Sequence, residues 1–250
     1  YGAGSDKRLH TLAGQSFDFS IEYQQQYHEA ILPYILERDF LAATAAWNMF
    51  DFGSANRDES MPRINNKGLA YYNRTPKDVY YYYQAMLTKQ KMLHIATRDW
   101  NTLTQTSATD KLNYPLNVYS NCEKVEIWIN GVSAGTKTVK NGNAVWNAEF
   151  IEGKNTIIAR GDNEMEDVAL VNCNIIPENL KTYALPRFSI GINCGSNCNF
   201  TDDKSDFTWL ADREYKPGGF GYIGGSCYKP TDYKIGFNDQ VVGTRNVPLF

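Results

Sequence analysis

The spacing of the apolar residues changes near residue 91, and this change limits the fold more than any other feature. Before it, Tyr23, Tyr27 and Ile31 belong to a series that recurs every three to four positions, which is typical of an amphipathic helix. After it, apolar and polar residues alternate over Val125–Ile129, as in half-buried strands. The two periods predict an α/β part followed by an all-β part.

The first part, residues 1–90, begins with helix and strand patterns. Ser20 is placed to cap the first helix, and Pro33 should kink that helix or lie near its end. The nearly unbroken apolar run at 40–47 predicts a strand that is buried on both faces, as strands of parallel sheets are.

A polar loop over 48–74 separates this run from a second helix. Thr75-Pro76-Lys77-Asp78 has the residues of a helix start, with Thr75 as the cap, so we expect a helix over 79–87. Helix, buried strand, loop and helix in this order indicate a parallel α/β fold, such as the C-terminal part of a (β/α)8 TIM barrel.

Two β regions follow. Asn130-Gly131 joins two alternating runs and predicts a two-residue hairpin. Short strands between Gly and Asn turns predict an immunoglobulin-like β-sandwich over 91–180. Residues 184–250 are rich in Gly, Asp, Asn and Tyr but poor in aliphatic residues. We therefore expect a partial β domain there, too thin in core residues to be stable alone.

Composition excludes several classes of protein. Of the 250 residues, 42% are hydrophobic and 21% charged, which is typical of a globular protein. The net charge of -3 and the absence of any Lys/Arg run argue against nucleic acid. No apolar stretch approaches the roughly 18 residues of a membrane span.

Tyr1 starts neither a signal peptide nor a Met-initiated chain, which predicts a processed, cut or engineered piece. The oligomeric state is left open.

The aromatic residues favour a carbohydrate ligand, and the cysteines bear on disulfide and metal sites. The 17 tyrosines offer flat apolar faces with a polar edge, which suit sugar rings. Cys194 and Cys198, among five cysteines, fit either a small disulfide loop or a chance spacing. No histidine or second cysteine pair completes a zinc site, so no metal is predicted.

Several motifs in the first part carry a specific likeness. Tyr1-Gly2-Ala3-Gly4-Ser5-Asp6, Phe17-Asp18-Phe19-Ser20, Trp47-Asn48-Met49-Phe50-Asp51-Phe52-Gly53 and Asn65-Asn66-Lys67-Gly68-Leu69 occur in an order and with gaps that resemble glycoside hydrolase family 2. The likeness is strongest to the β-galactosidase type and is close over about residues 1–100.

This resemblance implies a retaining reaction with two glutamates, an acid/base and a nucleophile that forms a covalent glycosyl-enzyme. In the family the nucleophile directly precedes a Tyr at the end of the seventh barrel strand. Tyr1 matches that Tyr, so the nucleophile is expected immediately before Tyr1 and the acid/base further upstream. No catalytic residue is therefore assigned in this chain, and we expect the chain alone to be inactive.

The resemblance also assigns residues that contact substrate. Trp47 matches the Trp that forms the floor of the sugar subsite at the end of the eighth strand. Asn65 and Lys67 match an Asn-x-Lys element that grips the sugar carboxylate in β-glucuronidases. His10, in a loop near the nucleophile strand, is a further candidate. Asp51 is expected to organise its loop and not to act chemically.

The later parts resemble the modules that follow the barrel in such enzymes: an immunoglobulin-like domain, expected to be structural with Trp128 in its core, and the start of a malectin-like carbohydrate-binding domain. Tyr215, Tyr222 and Tyr228 are the candidate glycan-binding residues of the malectin-like part.

The expected function is hydrolysis of terminal β-galactosides in oligo- or polysaccharides. The alternatives are a β-glucuronidase and a non-catalytic carbohydrate-binding or spacer fragment. Some relatives use Mg2+ or Na+, but no ligand cluster here requires either, so no cofactor is expected. The family likeness implies a periplasmic or secreted protein.

Overall fold

A computed structural model describes residues 1–11, 19–58, 60–100, 102–182 and 189–225. Within these ranges the chain is mostly β, with two α-helices and no closed barrel. The helices are α1 (Ile21–Leu36) and α2 (Asp78–Leu87). The strands, in chain order, are β1 (Leu9–His10), β2 (Phe52–Asp58), β3 (Pro62–Asn65), β4 (Leu93–Ile95), β5 (Thr102–Ser107), β6 (Lys111–Ser120), β7 (Lys124–Ile129), β8 (Val132–Thr138), β9 (Asn143–Ile151), β10 (Gly153–Arg160), β11 (Glu166–Pro177), β12 (Gly191–Asn193), β13 (Asn199–Thr201) and β14 (Thr208–Ala211). Neither described helix is long and apolar enough to cross a membrane.

Helix α1 begins and ends as predicted. The Ser20 hydroxyl accepts a hydrogen bond from the Tyr23 N–H at 3.1 Å, which satisfies one of the free donors of the first turn. Pro33 lies in the last turn, where its carbonyl accepts from the Glu37 N–H at 3.0 Å. The helix stops one residue before Glu37.

Helix α2 begins one residue before the predicted range, but its cap is not the predicted one. Its N-cap is Lys77, in extended conformation, and not Thr75. The preceding backbone is used in loop pairing, since the Lys77 N–H donates to the Leu69 carbonyl at 3.0 Å and Pro76 bridges to Ala70. Because this backbone is held in an extended conformation, the helix cannot begin directly after Thr75.

The prediction of a buried strand at 40–47 is wrong. The run is irregular, and Phe40 is 79% exposed. Its end pairs with Tyr1: the Tyr1 amino group donates to the Ala45 carbonyl, and the Trp47 N–H donates to the Tyr1 carbonyl. These two bonds form one rung of a parallel ladder. Among the described residues, no sheet covers the two faces of the run, so its apolar side chains remain in solvent.

The central part is a two-layer β structure, and its strands agree with the predicted ones. A five-stranded sheet (β5-β11-β10-β7-β8) faces a three-stranded sheet (β4-β6-β9). Inward residues of both sheets form one core, including Leu116, Ile127, Phe150 and Ile157, each fully buried. The β7–β8 hairpin turns at Asn130-Gly131 as predicted.

The Asn130-Gly131 turn has the conformation that its residues favour. Both residues have positive φ, 51° and 81°, as a type I′ turn requires. The prediction that Trp128 lies in the core is wrong. Its side chain points outward from β7, where the Arg160 guanidinium lies 4.8 Å from its ring.

A third sheet joins distant parts of the sequence, in the order β1-β13-β14-β12. Leu9 and His10 pair with Phe200 and Asn199, so the described β strands after residue 189 share a sheet with the first part of the chain. Cys194 and Cys198 lie in this region, and no disulfide joins these two residues.

A buried pair of carboxyl groups fastens α2 to the segment after β4. The Asp78 N–H donates to Asp99 at 2.7 Å, and the Asp99 N–H donates to Asp78 at 3.0 Å. The Tyr71 hydroxyl also donates to Asp99, and His94 Nε2 lies 2.6 Å from Asp78 Oδ1. Burial raises the pKa of each carboxyl to about 7. The junction is therefore most stable when the carboxyl groups carry protons.

The stability of the chain should reflect this junction. The pKa of Asp99 is raised from 3.8 to about 7 by burial, so the folded state keeps a proton that the unfolded state releases between these values. The free energy of unfolding should fall as the pH rises through this window, by up to about 1.4 kcal/mol per pH unit for each carboxyl. Asp99→Asn should make the fall shallower in urea titrations from pH 4 to 7. Tyr71→Phe removes a hydrogen bond to Asp99 but keeps the carboxyl, and should therefore keep the slope. An unchanged slope in Asp99→Asn would contradict the assignment.

Candidate functional site

Three segments of the first part meet at the residues that the sequence selected. The Trp47 N–H bonds to Tyr1, the Asn48 N–H donates to the Lys67 carbonyl at 3.1 Å, and the Leu69 N–H donates to the Asn48 carbonyl at 2.9 Å. The backbone of Trp47 and Asn48 therefore lies between Tyr1 and Lys67. The approach is close, since a Cβ on Gly2 would lie 1.9 Å from the Trp47 carbonyl oxygen.

Trp47 presents its ring to solvent. The side chain is 56% exposed, and its ring meets Phe52 edge-on with centroids 6.1 Å apart. The apolar area is therefore supported from one side and open on the other. An exposed, supported indole can stack on the C–H face of a pyranose.

Lys67 is carried by a tight turn. The buried Asn65 side chain accepts a hydrogen bond from the Lys67 N–H at 3.2 Å, so its Oδ1 shapes the turn. Within the described ranges, no carboxylate forms an ion pair with the Lys67 ammonium. A cation on an ordered turn beside Trp47 can bind an anionic group of a ligand.

A buried ion pair holds this turn from behind. Asp51 Oδ1 accepts from the Gly68 N–H at 2.9 Å and from Lys77 Nζ at 3.0 Å, and Lys77 also donates to the Asn66 carbonyl at 3.0 Å. The two side chains are 2% and 0% exposed. Burial raises the pKa of Asp51 and lowers the pKa of Lys77, while their attraction opposes both shifts. Asp51 thus organises its loop, as predicted.

Sequence reasoning missed the role of Lys77. The residue stands at the helix start Thr75-Pro76-Lys77-Asp78, where a lysine is ordinarily a solvated surface group. The one available signal was its placement directly after the polar loop that contains Asp51.

Tyr1 has a second anchor that the sequence did not reveal. The Tyr83 hydroxyl of α2 donates to the Tyr1 hydroxyl at 2.8 Å and lies 2.9 Å from His28 Nδ1 on α1. Burial lowers the pKa of His28 to about 4. The Tyr83 phenol, which itself contacts the neutral imidazole of His28, therefore holds the Tyr1 ring against both helices.

His10 is placed differently from the other candidates. It is buried in β1, with Nδ1 3.2 Å from Glu22 Oε1 on α1. Glu22 also accepts from the Tyr114 hydroxyl at 2.9 Å. The described contacts of His10 thus connect β1, α1 and the central β structure, and they do not include Trp47 or Lys67.

Tyr215 and Tyr222 are brought together, apart from the Trp47 segment in sequence. The Tyr215 N–H donates to the Tyr222 carbonyl at 2.9 Å, and the side chains are 42% and 46% exposed. Tyr228 lies outside the described residues.

Comparison with known proteins identifies the relatives. A crystal structure of a Bacteroides uniformis β-glucuronidase superposes with a TM-score of 0.84 at 43% identity, covering 90% of this chain and 27% of that one. The chain is related to the family 2 glycoside hydrolases. A β-glucuronidase of Bacteroides fragilis is 34% identical over 140 residues, which is 54% of this chain and 19% of the relative. The β-galactosidase BoGH2A of Bacteroides ovatus is 31% identical over 136 residues, 53% of this chain and 15% of the relative.

The relationship extends over the central β structure. Residues 112–166 match a family described as a domain of unknown function, DUF4982. The chain spans 14% to 19% of the length of the curated relatives. The likeness to family 2 glycoside hydrolases therefore covers only a part of the length of those enzymes.

The buried pair predicts a large loss of stability on mutation. Lys77→Met should lower the free energy of unfolding by about 3–5 kcal/mol, because it leaves the Asp51 carboxylate buried without its cation. Lys67→Met, ten residues earlier on the same loop, should change it by less than about 0.5 kcal/mol. Urea unfolding at pH 7 measures both. Equal effects of the two variants would show that the Asp51–Lys77 pair does not hold the fold.

Proposed function

We propose that the whole protein is a retaining glycoside hydrolase that acts on β-glucuronides. The observation that carries this proposal is Lys67, whose carbonyl accepts from the N–H of the residue after the exposed Trp47 and whose ammonium has no ionic partner among the described residues. A hexuronic acid presents an apolar ring face and a carboxylate, which these two side chains match.

In this proposal, residues 1–90 are the C-terminal part of a TIM barrel. The parallel rung between Tyr1 and the 45–47 segment supports this, because α1 connects the two segments as the crossover of a β-α-β unit does. Residues 91–180 are the immunoglobulin-like module, and residues 184–250 are part of a malectin-like module. A glutamate directly before Tyr1 acts as the nucleophile.

The remaining residues have binding and positioning roles. Trp47 forms the floor under the sugar ring, and Lys67 neutralises the carboxylate at its C6. Asn65 and the Asp51–Lys77 pair hold the turn so that the ammonium is pre-organised, which reduces the entropy lost on binding. Trp47 can therefore stack on any pyranose substrate, whereas Lys67 favours a substrate that carries a carboxylate.

A β-galactoside is the second candidate substrate. The likeness to BoGH2A supports it, and the Trp47 ring suits galactose equally well. Galactose carries a neutral hydroxymethyl group at C6, however, and does not use the charge of Lys67. The β-glucuronidases among the relatives favour the first substrate.

A Lys67→Met substitution in the full-length protein should separate the two substrates. We expect kcat/KM for an aryl β-glucuronide to fall about 10- to 100-fold, since a charge-assisted contact contributes about 1.5–3 kcal/mol. The rate with the matching aryl β-galactoside should stay within a few-fold. Trp47→Ala should lower both rates, and Lys154→Met, at an exposed lysine of β10, should lower neither. An equal loss on both substrates in Lys67→Met would leave Lys67 with a structural role only.

The 250-residue chain by itself should be inactive. Its described carboxylates at the site are engaged, with Asp51 bound to Lys77 and Gly68. Neither aryl β-glucuronide nor aryl β-galactoside should be hydrolysed above the buffer rate. Turnover that persists through purification and is abolished by Trp47→Ala would contradict the placement of the nucleophile before Tyr1.

A further inference from the structure

A cavity lies between α1 and the central β structure, and neither Trp47 nor Lys67 lines it. Its volume is about 210 Å3. Glu22, Gln25 and Glu29 line it from α1, and Trp100, Tyr114 and Asn117 line it from the β structure. Cavities for drug-sized ligands measure roughly 300–1,000 Å3, so this one suits a single small ring.

Gln25 offers an unused donor to this cavity. Its side chain is 5% exposed, and its Nε2 has no hydrogen-bond partner in the part of the chain that the structure describes. Its Oε1 accepts from Asn117 Nδ2 at 3.5 Å, so Nε2 is the atom that lacks a partner. A buried donor without an acceptor costs about 1–3 kcal/mol, so an acceptor in the cavity would stabilise the site.

Glu29 offers an acceptor nearby. Its Oε1 accepts from the Tyr119 hydroxyl at 2.7 Å and from Asn117 at 3.3 Å. Within the described ranges, Oε2 has no assigned donor. Burial raises the pKa of this carboxyl, which shows that no strong cation compensates it. The cavity therefore combines a donor and an acceptor that both remain available.

Only some ligands satisfy both groups. A hydroxyl accepts from Gln25 and donates to Glu29, whereas a cation uses the acceptor alone. An anion meets two carboxylates and no lysine or arginine in the lining. The wall adds apolar area, because Trp100 packs edge-on against Tyr114 with centroids 5.2 Å apart.

From this juxtaposition we propose that the cavity is an accessory site for one neutral pyranose, separate from the site at Trp47 and Lys67. It is selective against uronic acids, which the proposed substrate site prefers. The inference does not rest on the proposed function, since it uses a different set of residues and opposite charge.

The test is titration of the full chain with methyl β-galactoside, methyl β-glucoside, glucuronate and glucosamine, followed by saturation-transfer NMR and calorimetry. A neutral glycoside should saturate the chain with a Kd on the order of 1 mM. Glucuronate should bind at least tenfold more weakly to this site because of the two carboxylates.

Variants then locate the binding. Val145 lines the cavity and is 44% exposed, so Val145→Trp should close the mouth from the surface and raise the Kd of the neutral glycoside at least tenfold. Val168→Trp is the matched control, at a valine that is 47% exposed but outside the lining, and it should leave the Kd unchanged. Gln25→Leu, which removes the donor, should also weaken binding. Trp47→Ala should have no effect on this Kd, which keeps the result independent of the substrate site.

Three results would overturn the proposal. They are no saturation by either neutral glycoside at tens of millimolar, an unchanged Kd in Val145→Trp, or glucosamine binding tenfold tighter than the neutral glycosides, which would indicate a cation site. Thermal unfolding of each variant confirms that it is folded before its Kd is compared.

Discussion

The arrangement of the candidate site depends on the buried ion pair between Asp51 and Lys77. Both groups are almost completely removed from water, and an ion pair in that environment is stable only when hydrogen bonds satisfy the remaining donors and acceptors. Those bonds go to Gly68 and Asn66, the two residues that flank Lys67. The pair therefore connects the segment after Trp47, the turn of Lys67 and the start of α2.

The two lysines of this arrangement differ in their environment. Lys77 is buried and its charge is neutralised by Asp51, so this lysine stabilises the loop. Lys67 lies on the same loop, its carbonyl accepts from the N–H of the residue after Trp47, and its ammonium has no described ionic partner. An aromatic face with one adjacent cation is suited to a sugar acid, in agreement with the β-glucuronidases among the relatives.

The central β strands were predictable because the information is local. Alternation of apolar and polar residues marks the inward face of each strand, and Asn130-Gly131 favours the positive φ angles of its turn without help from distant residues. Ser20 was recognisable as a cap for the same reason. The run at 40–47 misled the prediction because its pattern requires flanking strands on both sides, and in the described structure only Tyr1 pairs with it.

The sequence by itself determined the position of the central β strands, the hairpin at Asn130-Gly131 and the cap of α1, and its family resemblance gave Trp47, Asn65 and Lys67 as candidates. The tertiary structure alone decided that Lys77 is buried against Asp51, that Lys77 and not Thr75 caps α2 and that His10 faces Glu22. The physical reason is that burial and ion pairing depend on residues that are far apart in the chain. A lysine or histidine has the same local pattern whether it is solvated, paired or left to bind a ligand.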